Sequence, residues 1–132
     1  MKSDRDPLSE HVIGLGIEVH RALGPGLLES AYEACLCHEL RAHNFSFERQ
    51  VPLPVSYKEV SLNVGYRLDL VVAGKLVVEL KAVDKILPVH QAQLLTYLRL
   101  SGIHNGLILN FNVPMLKDGI KRLTIAPMAA IR

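Results

Sequence analysis

Nowhere in these 132 residues does an uninterrupted apolar run approach the roughly 18 positions that a membrane-spanning helix needs. The opening "MKSDRDPLSE" is polar with no apolar stretch behind it, so no secretory leader is expected. Internal repeats and low-complexity tracts are also lacking. Cysteine is scarce: Cys35 and Cys37 lie two apart in a helical pattern, where side chains point in different directions and do not easily bridge. Free thiols suit a reducing compartment, and a cytoplasmic location is the expectation. With His38 and His43 these cysteines match no strong zinc spacing. Charge of one sign is missing too. A net charge of +2 with 21% charged residues excludes an acidic tail and a strongly basic coat. Lysine and arginine are scattered, with small groups at Lys81–Lys85 and Lys117–Arg122; for Lys85, Arg99, Lys117, Lys121 and Arg122 the readings are phosphate contact or, by default, a solvated face.

What is present suffices for a core: 49% of the residues are hydrophobic, and the length fits one domain spanning residues 1–132. Asp6-Pro7 reads as a helix cap followed by proline at the first helical position. Val12, Ile13, Gly16, Ile17, His20 and Leu23 then follow a helical stripe that ends at Gly24–Gly26. His20 on that stripe reads as a semi-buried histidine with its hydrogen bonds met. A second helix is expected over Leu27–Ala42, with Leu28, Ala31, Tyr32, Cys35, Leu36 and Leu40 as its apolar face. Phe45–Tyr57 reads as an edge or broken strand because of Pro52 and Pro54. Strands follow at Leu62–Val72 and Leu76–Val83, a helix at Val89–Leu100 closed by Gly102, and strands at Gly106–Phe111 and Ile120–Ile125. The segment "NVPMLKDG" reads as a loop. A helix between the third and fourth strands implies a crossover. The fold class is therefore α/β, a central mixed sheet with helices on both faces.

"YRLDLVVAGKLVVELKAV" carries Asp69, Glu79 and Lys81 inside an apolar strand pair, and unpaired buried charge is costly. Glu79 and Lys81 are two apart and share a face. If Ala73-Gly74-Lys75 is a three-residue loop, Val72 stands opposite Leu76 and Asp69 opposite Glu79. A two-residue turn would instead put Asp69 opposite Val78 and separate the carboxylates. Opposed carboxylates repel unless they share a proton, meet Lys81 or hold a divalent cation. A cation there beside a lysine suits phosphodiester hydrolysis, because it polarises the phosphate and lowers the pKa of its water.

Asp69, nine residues, then Glu79-Leu80-Lys81 resembles the signature of the PD-(D/E)XK nuclease superfamily, with Leu68 in place of its proline. Gly26-x-x-Glu29-x-x-Tyr32 resembles the small GxxExxY family within that superfamily. Gln93-x-x-x-Tyr97 is similar to the glutamine–tyrosine motif of nuclease domains attached to recombination helicases. The likeness covers about Ile13 to Thr124 and implies a restriction-endonuclease-like core. It further implies that Glu29, Asp69 and Glu79 hold Mg²⁺ or Mn²⁺ and that Lys81 is the catalytic lysine. Gln93 and Tyr97 would orient the metal water or the nucleic-acid backbone. The implied activity is phosphodiester hydrolysis in DNA ahead of RNA. The alternatives are a catalytically silent nuclease fold that binds nucleic acid or a protein, and a toxin–antitoxin-like partner protein whose charges form an ion-pair network. No membrane association is expected, no base-reading module is visible, and the apolar helix surface is compatible with a homodimer.

Overall fold

The computed structural model describes residues 6–126. Helix α1 (Pro7–Leu23) starts where Asp6 accepts hydrogen bonds from the backbone N–H and the hydroxyl of Ser9, both at 2.9 Å. It stops at Gly24, whose φ of 69° suits glycine and whose N–H donates to the His20 carbonyl. Its buried face is Val12, Ile13, Leu15, Gly16, Val19 and His20, so the stripe includes Leu15 and Val19 while Leu23 is exposed. A Cβ at Gly16 would stand 3.3 Å from Leu109 and Leu116, so glycine lets the helix settle on the sheet. His20 is buried, and its Nε2–H donates to the carbonyls of Phe111 (3.1 Å) and Val113 (2.8 Å).

Helix α2 (Glu29–Ala42) begins two residues later than the expected Leu27. Leu28 is its N-cap and is 78% exposed, so it does not belong to the apolar face. Tyr32 explains the late start. Its hydroxyl donates to the Gly24 carbonyl at 2.6 Å and accepts from Leu27 N–H at 3.1 Å, which draws the Gly24–Leu28 loop over the ring. The ring stacks on Phe111 with centroids 4.4 Å apart, a contact worth about 0.5–1.5 kcal/mol beyond area burial.

The chain then departs from the sequence expectation. Phe45–Tyr57 divides at its prolines into β1 (Phe47–Pro52) and β2 (Val55–Tyr57). Strand β2 pairs only with β3 (Val60–Leu62) through a two-residue turn, Lys58 and Glu59, both in the left-handed region. The expected strand Leu62–Val72 is broken by Gly65 (φ 87°), and only β4 (Arg67–Val72) joins the main sheet. Strand β5 (Leu76–Lys81), helix α3 (Pro88–Ser101), β6 (Asn105–Asn110), a short 3₁₀ turn (Leu116–Gly119) and β7 (Ile120–Thr124) complete the order.

The five-stranded sheet runs β1-β4-β5-β6-β7. It is mixed: β5 and β6 are parallel, joined by α3, and the other neighbours are antiparallel. Leu70, Val72, Leu76, Val78, Leu80, Leu107 and Leu109 face α1 and α2. Leu68, Val71, Val77 and Ile108 pack with Leu94, Tyr97 and Leu98 of α3. Helices thus cover both faces, which is why β5 and β6 read as near-continuous apolar runs. No helix among the described residues is long and apolar enough to cross a membrane.

Candidate active site

The loop between β4 and β5 has three residues. Val72 pairs with Leu76, Val71 with Val77 and Leu70 with Val78, and Lys75 N–H closes the turn on the Val72 carbonyl. Ala73 (φ 54°) and Gly74 (φ 66°) supply the left-handed conformations. The register therefore brings Asp69 opposite Glu79. Ladder pairing stops one step before them, and the side chains take over. Asp69 N–H donates to Glu79 Oε2 at 3.0 Å, and Leu80 N–H donates to Asp69 Oδ2 at 2.9 Å. Each carboxylate thus caps the backbone of the opposing strand where the two strands splay.

The neighbouring pairing has the same gap. In the β1–β4 register Arg49 meets Leu70 and Val51 meets Leu68, while Gln50 and Asp69 between them are passed over. Gln50 has a φ of 49°, a left-handed conformation that a non-glycine side chain adopts only under constraint. Strict alternation would put Leu68 with Leu70, yet Leu68 lies in the α3-side core. The strand rotates at Asp69, and that rotation frees its N–H for Glu79.

Glu79 is 6% exposed, and burial, reinforced by the charge of Asp69, pushes its carboxyl up to about 8. Burial also raises Asp69, while the Leu80 N–H and Lys81 act in the opposite direction. Burial and mutual repulsion thus disfavour joint ionisation of the pair where no further cation is present. Asp69 Oδ1 and Glu79 Oε1 accept no hydrogen bond among the described residues, so one oxygen of each carboxylate is open to a ligand. Two closely spaced, incompletely neutralised carboxylates fit a hard divalent cation, which takes one or two carboxylates with waters and phosphate oxygens. Lys81, half-buried at the end of β5, contributes positive charge to both.

The remaining sequence candidates fall at graded distances. Glu29 is exposed in the first turn of α2, and its charge reaches both Asp69 and Glu79. Among the described residues no three His, Cys, Asp or Glu side chains are gathered closely enough to form a cage, so Glu29 is a neighbour of the pair in this conformation. Tyr97 on α3 is buried, and its hydroxyl pKa is raised by burial first and then by the charge of Glu79. Gln93, one turn earlier, is exposed and does not bond to Tyr97. Lys85 is exposed beyond β5 and shares a polar groove of about 260 Å³ with Asp84, Asp118 and Lys121. Arg122 forms a bidentate pair with Glu10 at 2.8 and 3.2 Å.

Two groups escaped the sequence reading. Glu33, one turn beyond Glu29, is 7% exposed, accepts from Arg49 Nε and Gln50 Nε2 at 2.9 Å, and adds its charge to Asp69. Its i, i+4 spacing from Glu29 was the available signal. Asn110 is buried at the end of β6. Its Oδ1 accepts from Val83 N–H (3.0 Å) and Asn112 N–H (3.2 Å), and its Nδ2 donates to the Val83 carbonyl (2.9 Å). With Phe111 N–H on the Lys81 carbonyl (2.9 Å), it fastens the backbone on both sides of Ala82. A polar residue ending the apolar run "GLILN" was its signal.

Comparison with known proteins agrees with this geometry. A model described as the PD-(D/E)XK nuclease superfamily matches residues 6–123, whereas no curated protein and no solved structure matches. The mixed five-stranded sheet and its three helices are consistent with the restriction-endonuclease-like fold of that superfamily. The family match runs from the cap of α1 into β7, and the chain belongs to the PD-(D/E)XK nuclease superfamily.

Proposed function

We propose that this chain, acting as a single domain over residues 1–132, is a divalent-metal-dependent hydrolase of phosphodiester bonds in DNA ahead of RNA. The observation that carries the reading is the reciprocal capping of Asp69 and Glu79 at the mouth of a splayed strand pair. It holds two carboxylates together where burial penalises their joint ionisation. Superfamily membership supports a nuclease-like activity. A bound Mg²⁺ or Mn²⁺ would supply phosphate polarisation and a low-pKa water at neutral pH. Asp69 and Glu79 would hold it, and Glu29 would approach to complete the acidic set. Lys81 positions the attacking water and offsets charge developing on the phosphate. Gln93 orients that water, and Tyr97 and Lys85 contact the nucleic-acid backbone.

Gly26-x-x-Glu29-x-x-Tyr32 supports placement in the GxxExxY group, and the Tyr32 anchor gives that motif a physical role, since it sets where Glu29 enters the helix. A cytoplasmic location and a homodimer belong to the same reading. The test is plasmid nicking across Mg²⁺ and Mn²⁺ concentrations. Metal-dependent nicking lost in Glu79→Ala and Lys81→Ala supports hydrolysis. Tight DNA binding with no cleavage under any divalent ion assigns the chain to silent, binding members of the superfamily.

A further inference from the structure

A surface groove of about 440 Å³ opens between α3 and the segment leading into β4, the strand that carries Asp69. None of its eight lining side chains is charged. Tyr66 and Tyr97 form one corner, with ring centroids 6.2 Å apart and planes at 57°. Val55, Val89 and Leu100 supply apolar walls, and Gln93 adds one amide. Tyr66 is 46% and Val89 64% exposed, so large apolar groups here stand open to water. Tyr66 immediately precedes β4, the strand that carries Asp69, and Tyr97 packs in one cluster with Leu68 and Val77 of the two strands that bear the carboxylates.

The chemistry of this groove selects among parts of a nucleic acid. A phosphate backbone is held by cations and amide or hydroxyl donors, and this groove offers no cation. A base has an apolar face that stacks on aromatic rings and a polar edge that an amide can meet on either its donor or its acceptor side. In a duplex that face is occupied by neighbouring base pairs. We propose that the groove holds an unpaired nucleobase of the strand being cut, so that the substrate is single-stranded DNA or a frayed end. The proposal rests on the phosphodiesterase reading above for its nucleic-acid ligand. Tyr66 is the stacking platform and Val55, Val89 and Leu100 wall the base in, while Tyr97 and Gln93 keep the backbone and water roles given above.

The experiment is binding of the full chain to labelled oligothymidylate, to a duplex of equal length and to an abasic strand, by fluorescence anisotropy with chelator present so that nothing is cut. Oligothymidylate should bind more tightly than either competitor. Tyr66→Ala should weaken it roughly 5- to 100-fold, the loss expected on removing a stacked base's aromatic partner, while leaving the melting temperature and duplex binding unchanged. Val89→Asp, at a more exposed position, should weaken it similarly and keeps the test open should Tyr66→Ala fold poorly. Because the protein has no tryptophan, its tyrosine emission should be quenched by oligothymidylate and not by the abasic strand. Equal affinity for normal and abasic strands overturns the proposal, and so does undiminished binding in both variants. Loss of self-association in Tyr66→Ala with oligonucleotide affinity intact also overturns it and makes the groove a dimer interface. Cleavage plays no part in the measurement, so a protein that binds through Tyr66 but never cuts sinks the hydrolysis reading and supports the groove.

Discussion

Replacing Glu79 by glutamine removes the ionisable group while keeping the carbonyl oxygen that accepts the Asp69 N–H. The folded chain holds the Glu79 proton to about pH 8, whereas the unfolded side chain releases it near 4.5. A raised carboxyl stabilises the fold fully below the lower value, and that contribution is lost as pH rises through the higher one. The separation of about 3.5 pH units, at about 1.4 kcal/mol each, sets a ceiling near 5 kcal/mol, of which roughly 4 kcal/mol is lost between pH 4.5 and 8. The metal-free parent should therefore weaken relative to Glu79→Gln by about that amount over this range. Urea unfolding of both proteins at a series of pH values, followed by far-ultraviolet circular dichroism with chelator present, measures the difference directly. Saturating Mg²⁺ or Mn²⁺ at pH 8 should restore much of the loss in the parent and little in Glu79→Gln, because a ligand that binds only the folded state stabilises it by mass action. A parent-to-variant difference that stays flat from pH 4.5 to 8 would mean that Glu79 ionises normally. The argument that burial and Asp69 crowd its carboxylate would then fail.

Lys81→Ala should lower cleavage by about 100- to 1,000-fold in single-turnover assays, as expected for a group that offsets charge developing in the transition state. Its melting temperature should be nearly unchanged, since Lys81 is only half-buried, and a large loss of stability would make it structural. Asn110→Ala leaves the N–H and C=O of Val83 and the N–H of Asn112 without their side-chain partner. It should cost about 2–4 kcal/mol in urea unfolding, and full stability would show that water replaces the amide. Tyr32→Phe loses both bonds to the Gly24–Leu28 loop and should destabilise by about 1–2 kcal/mol while weakening Mn²⁺ binding in calorimetry. Unchanged metal affinity would separate Glu29 from the cation.

The sequence by itself determined what depends on short separations. Ala73-Gly74-Lys75 marks the turn but leaves a two- or a three-residue loop open, and the folded register, with Val72 on Leu76, is what places Asp69 opposite Glu79. Alternation then puts Lys81 on the Glu79 face. Asp6-Pro7 and Gly24 bounded α1, and the position of α3 between two apolar strands required the parallel crossover that made the sheet mixed. Only tertiary structure decided the rest, because it depends on what packs across distant chain. Pro52 and Pro54 hinted at a break, but the break at Gly65 and the separation of β2 and β3 from the main sheet follow from which edges find partners. The left-handed Gln50 and the rotation at Asp69 follow from β1 pairing on β4. The burial of Glu33 against Arg49, the grip of Asn110 on Val83, and the exposed position of Glu29 outside a closed carboxylate set each need two segments brought together by the folded core. Local patterning names the residue types able to hold a cation, whereas the desolvation that makes a cation favourable exists only once the sheet is covered on both faces.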